Sequence, residues 1–157
     1  MRPAWLILAA SLVFALSAFA GAADKLFGTW KVLSAVVEDV QTGEKTSLYG
    51  EHPRGYMVLL PSGRMMALLV SEDRREPETD VERAAAYRSM VAYTGRYNVE
   101  GNKITTRPDV AWNEQYMMDQ VRYFRLDGDR LTIETAPAKS PDFGKVVRFI
   151  VVWRKDE

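Results

Sequence analysis

Gly28-Thr29-Trp30-Lys31-Val32-Leu33-Ser34 opens a Val-rich alternating run that reaches Asp39, and Val151-Val152-Trp153-Arg154 stands at the other end of the same region. A Gly-x-Trp on the first strand and an Arg on the last predict a sheet curled until first and last strands meet. Between them lie short β-segments separated by turn residues: Lys45 to Tyr49, Gly55 to Leu60, Arg64 to Val70, Gly95 to Glu100, Lys103 to Arg107, Gln115 to Leu126, Arg130 to Thr135 and Lys145 to Arg154. Pro61-Ser62-Gly63, Gly101-Asn102 and Asp127-Gly128 supply tight turns, and serial hairpins of this kind build an antiparallel meander. One stretch departs from the pattern. Glu76 to Tyr93 reads as a helix, opened by the capping box Thr79-Asp80-Val81-Glu82 and carried by Ala84-Ala85-Ala86. An open hairpin sheet has two edges that invite aggregation, and closure removes them. The expected fold is therefore all-β: one antiparallel closed barrel of about eight or nine strands, with a mid-chain α-helix capping an opening.

Composition narrows the functional classes. Residues 1–22 read as a secretory signal, with the positive start Met1-Arg2-Pro3, the apolar run Ala4 to Leu16 and the small-residue motif Ser17-Ala18-Phe19-Ala20; residues 24–157 read as one domain. The apolar run falls short of the ~20 residues that span a bilayer, so the expected location is periplasmic or extracellular, the alternative being an uncleaved anchor. There is no cysteine, which excludes a disulfide framework and a thiol nucleophile. With 21 basic and 21 acidic residues, Arg2 being the only charge in the leader, the domain itself lies near neutrality. No basic excess supports nucleic-acid or anionic-membrane binding.

Four motifs resemble the lipocalin-like domain family of bacteria and fungi: Gly28 to Ser34; Tyr49-Gly50-Glu51-His52-Pro53-Arg54-Gly55-Tyr56; Pro61-Ser62-Gly63-Arg64-Met65; and Gln120-Val121-Arg122-Tyr123-Phe124 with Asp127-Gly128-Asp129-Arg130-Leu131. The resemblance spans about Leu26 to Arg154. It implies a calyx-like barrel that binds small apolar molecules. It also implies a barrel-closing contact in which Arg154 lies over the indole of Trp30, a cation–π pair worth ~0.5–2 kcal/mol.

Candidate chemistry concentrates on the strand from Gln120. Alternation puts Gln120, Arg122, Phe124 and Leu126 on one face and Val121, Tyr123 and Arg125 on the other. If the first face is interior, Arg122 is a charge inside the barrel. It then needs an acid, water or an anionic ligand, and Arg122 with Gln120 would hold the polar head of an amphipathic molecule. If Tyr123 points inward, Arg122 is merely solvated. Tyr56, Met66, Leu68, Tyr97 and Phe124 are the expected apolar wall, with Tyr87, Met90 and Tyr93 on the helix as a lid; the competing reading is a filled core. His52 is the only histidine and reads as a loop residue. Zinc-ligand spacing, a phosphate-cradling glycine loop and a Gly-x-Ser-x-Gly elbow are all missing from the sequence. Asp109, Glu114 and Asp119 read as charged loop residues around Trp112 and Tyr116. The expected activity is non-covalent binding of a small apolar or amphipathic ligand in the barrel, with no cofactor, no metal and no catalytic residue assigned. An isomerase or cyclase using the cavity, and a filled barrel with a structural role, are the two other classes.

Overall fold

The computed structural model describes residues 24–156; the expected leader lies outside them. The strands are β1 (Gly28–Asp39), β2 (Lys45–Ser47), β3 (Arg54–Leu59), β4 (Arg64–Val70), β5 (Met90–Glu100), β6 (Lys103–Ala111), β7 (Gln120–Asp127), β8 (Arg130–Glu134), β9 (Ala138–Lys139) and β10 (Val146–Lys155), with helix α1 (Asp80–Arg88) between β4 and β5. Neighbouring strands pair antiparallel in the order β2-β1-β3-β4-β5-β6-β7-β8-β10-β9, and β1 also pairs with β10 from Trp30↔Lys155 to Asp39↔Val147. The short β2 and β9 only extend the upper parts of β1 and β10. The other eight strands close on themselves as the antiparallel barrel expected.

Alternation fills the interior. Trp30, Val32, Ala35 and Val37 on β1, Met57 and Leu59 on β3, Met65, Ala67 and Leu69 on β4, Ile104 on β6, Leu131 on β8, and Val147 and Trp153 on β10 are all buried. A bulge between Val32 and Ser34 resets the inward parity of β1. Packing is densest at the end where β1 begins. There Leu26, Trp30, Leu59 and Leu131 are at most 1% exposed, and burying each such side chain contributes about 1.5–3 kcal/mol. The Trp30 indole N–H donates to the Leu26 carbonyl at 2.8 Å, so the chain entering β1 plugs that end.

The cation over Trp30 is Lys155, not the expected Arg154. Lys155 Nζ lies 4.5 Å from the indole ring and also donates to the Phe27 carbonyl. Directly opposed residues on antiparallel strands share a face; Trp30 opposes Lys155, while Arg154 opposes Lys31 and is exposed.

The expected helix is shorter than its pattern. Thr79 and Glu82 form the capping box, but α1 ends at Arg88 and Met90 to Tyr93 belong to β5, paired with Ala67 to Val70 of β4. Val91, Tyr93 and Thr94 are strand formers, and the ladder to β4 outweighs the helical pattern. The helix stands at the open end, on its rim: none of its residues is buried. Other elements differ as well. β6 runs on to Ala111 past a bulge that absorbs Asp109, β7 starts at Gln120 and not Gln115, and β9 was not anticipated. Gly95 sits beside that bulge because a Cβ there would collide with the Arg107 carbonyl and the Pro108 backbone.

Candidate functional site

The end opposite Trp30 is the mouth. β7 begins there, and its parity is decided by pairing: Arg122 opposes Ile104 and Gln120 opposes Thr106, two buried residues of β6. Gln120, Arg122, Phe124 and Leu126 therefore face the interior, while Val121 and Tyr123 are exposed. Arg122 Nη2 donates to Gln120 Oε1 at 2.7 Å and Nη1 to the Val121 carbonyl at 2.9 Å. Among the described residues no carboxylate forms an ion pair with it. Asp39, buried on the inner face at the same end, is taken by Lys145 at 2.9 Å.

Two tyrosines lie within the field of this guanidinium, and a third lies beside them. Tyr93 of β5 is stacked on Tyr116 with ring centroids 5.7 Å apart and planes 8° from parallel. Tyr116 is carried by the 3₁₀ turn Glu114–Tyr116, which Asn113 caps by accepting from the Gln115 amide. Gln120 Nε2 holds that segment from below, donating to the carbonyls of Tyr116 (3.3 Å) and Met118 (2.8 Å). Tyr49 lies beside Tyr116 and packs on the core. Burial pushes the Tyr49 phenol up, helped by Tyr116. Burial also raises the phenols of Tyr93 and Tyr116, with the positive charge of Arg122 pulling both the other way. The phenols thus stay neutral near pH 7, and none supplies the negative charge that Arg122 lacks. Chemically, the cluster can hold an anion by charge-assisted hydrogen bonds and a ring or chain against aromatic faces.

The expected wall divides in two. Phe124 and Tyr97 pack on the core cluster, Tyr97 with its hydroxyl on the Leu60 carbonyl at 3.0 Å and its phenol pushed up by burial. Tyr56, Met66 and Leu68 do not line the interior. They are 45%, 56% and 44% exposed, because Met57, Met65, Ala67 and Leu69 take the inward positions on the same strands. Tyr49 and Tyr116 are the site residues sequence reasoning missed. Tyr93, expected on the helix as part of a lid, reaches the site from β5 instead; the strand signal was there, since it shares parity with Tyr97 and follows β-branched Val91.

The remaining candidates are engaged elsewhere. Asp109 forms a two-pronged pair with Arg64 (3.1 and 2.7 Å), and Asp119 pairs with Arg107 at 3.4 Å. His52 is exposed, and its amide donates to Glu72, whose carboxylate also accepts from the Glu51 amide. Trp112 packs against Tyr87 of α1 with ring centroids 5.2 Å apart and planes tilted by 36°, and each ring's polar atom is bonded to the other residue's carbonyl. That contact ties the helix to the rim. No group of three potential metal ligands occurs among the described residues, and no helix among them is long and apolar enough to cross a membrane. Two clefts stand out. One of about 240 Å³ runs between the Ser71–Pro77 loop and α1, and one of about 40 Å³ lies by Asp39, Phe143 and Lys145.

Comparison with known families agrees with this architecture. No curated protein matches the chain. The lipocalin-like domain family matches residues 27–156, and a barrel of this kind supports, in general terms, the binding of small hydrophobic ligands. The match covers nearly all of the described barrel, from the first strand through the last, and the chain belongs to the lipocalin-like domain family.

Proposed function

We propose that the mouth half of the barrel binds a small amphipathic anion without covalent chemistry. The observation that carries this is Arg122: it faces the interior, is bridged only to Gln120 and a backbone carbonyl, and has no acid against it among the described residues. An inward guanidinium of this kind is completed by a carboxylate, which it can grip through two N–H donors. Gln120 orients the guanidinium, and Tyr93 and Phe124 offer the apolar surface, where burial yields ~25 cal/mol per Å². The leader composition supports action outside the cytoplasm.

Titration of the purified protein with dodecanoate, followed by tryptophan fluorescence, tests the reading. Arg122→Ala should weaken binding about tenfold to a hundredfold, the worth of a hydrogen bond to a charged group. Equal affinity in the two proteins would overturn it.

A further inference from the structure

The ring of Tyr116 lies in the mouth against Tyr93 and within reach of the charge of Arg122. It comes from a short turn, not from a barrel strand. It enters the mouth to lie parallel to Tyr93, beside Tyr49 and within the field of Arg122. A flat ring with a polar end, stacked on one aromatic and near a guanidinium, is also a description of an aryl carboxylate. Hydrogen bonds hold the turn through Asn113, through its own carbonyls and through Gln120 Nε2, and the Tyr116 side chain is hydrogen-bonded to Tyr49; none of these is a strand ladder. Glu114, Gln115, Met117 and Met118 around it are exposed.

We propose that Tyr116 is an internal stand-in for the ligand, and that the site it fills takes a planar aromatic acid, whose ring replaces the Tyr116 ring on Tyr93 and whose carboxylate reaches Arg122. This rests on the reading of Arg122 as the anion anchor and adds the class of molecule. Binding then swings the 113–118 segment out of the mouth. Gln120 is the joint: it holds the Tyr116 and Met118 carbonyls with its amide nitrogen and Arg122 with its amide oxygen. Displacing the turn therefore also frees the guanidinium's partner to adjust. A flexible alkyl chain gains less from the slot, because parallel stacking rewards a flat ring specifically.

The probes are 2-naphthoate, flat, and dodecanoate, flexible, measured by calorimetry on the full chain. Tyr116→Ala empties the slot and should tighten 2-naphthoate about fivefold to tenfold, the worth of one aromatic stack, with a smaller gain for dodecanoate. Adding Arg122→Gln should cancel the gain. In the wild-type chain, saturating 2-naphthoate should move the amide resonances of residues 113–118 in a nitrogen–proton NMR spectrum; this readout stands even if Tyr116→Ala fails to fold. Unchanged or weaker 2-naphthoate binding by a folded Tyr116→Ala, or amides of residues 113–118 that stay put on saturation, overturns the inference. If dodecanoate still binds the wild type through Arg122, only the aromatic-acid assignment falls. If neither probe binds either protein, the anion site falls with it.

Discussion

Lys155 and Arg154 are adjacent cations, and only one of them closes the barrel. Replacing Lys155 by Met keeps most of the side-chain stem and removes the ammonium. Two interactions go with it: the cation over Trp30 at 4.5 Å and the bond to the Phe27 carbonyl. The first is worth ~0.5–2 kcal/mol and the second, made by a charged donor, ~1.5–3 kcal/mol. Against them stands the burial that holds the Lys155 pKa below its usual value, which shows that the site itself disfavours the charge. The net expectation is a loss of about 1–2 kcal/mol. For a domain of this size that corresponds to a fall in Tm of ~2–8 °C. Arg154→Met, on the outer face, should stay within about 0.5 kcal/mol of wild type. Thermal unfolding of both variants by circular dichroism gives the comparison. A larger loss for Arg154→Met than for Lys155→Met would refute the parity argument for barrel closure.

Leu59, fully buried at the closed end, should cost about 2–5 kcal/mol as Leu59→Ala in urea unfolding, with the spread set by how far the core relaxes. Gly95→Ala should cost more than 2 kcal/mol, roughly the scale of overpacking, since the new methyl meets backbone of β6 and not a movable side chain; a near-neutral variant would mean that the Thr94/Gly95 bulge is misplaced. Alkaline stability follows from the raised phenols of Tyr49, Tyr93, Tyr97 and Tyr116. Below about pH 10 both states hold these groups neutral; above it the unfolded chain ionises first, so stability falls as pH rises. Tyrosinate absorbance should therefore show these four phenols ionising late, together with loss of the near-ultraviolet circular dichroism signal.

The barrel was legible because its signals are local. Asp127-Gly128, Pro61-Ser62-Gly63 and Gly101-Asn102 each turn one strand into the next, and the Thr79 to Glu82 capping box starts the helix where it stands. Parity was harder. On β7 a charged residue and a glutamine alternate with aromatics, and the inward face of Gln120, Arg122, Phe124 and Leu126 could be named as one of two choices. On β3 and β4 both faces are apolar, so Tyr56, Met66 and Leu68 looked as good inside as Met57, Met65 and Ala67 did. A slip of one residue exchanges the faces completely, and the same slip separates Arg154 from Lys155. Tyr49 and Tyr116 were beyond reach for another reason: they come from non-strand segments whose approach to Arg122 depends on closure of the whole barrel.

The central claim is that Arg122 holds a negative charge inside the mouth. Its most direct test is the affinity of dodecanoate and of its methyl ester for wild type and for Arg122→Gln, measured at the same pH and salt. The account predicts that the acid binds wild type about tenfold or more tighter than the ester, the worth of one charge-assisted bond, and that the difference disappears in Arg122→Gln. Acid and ester binding wild type alike, or a gap that survives in Arg122→Gln, would contradict it.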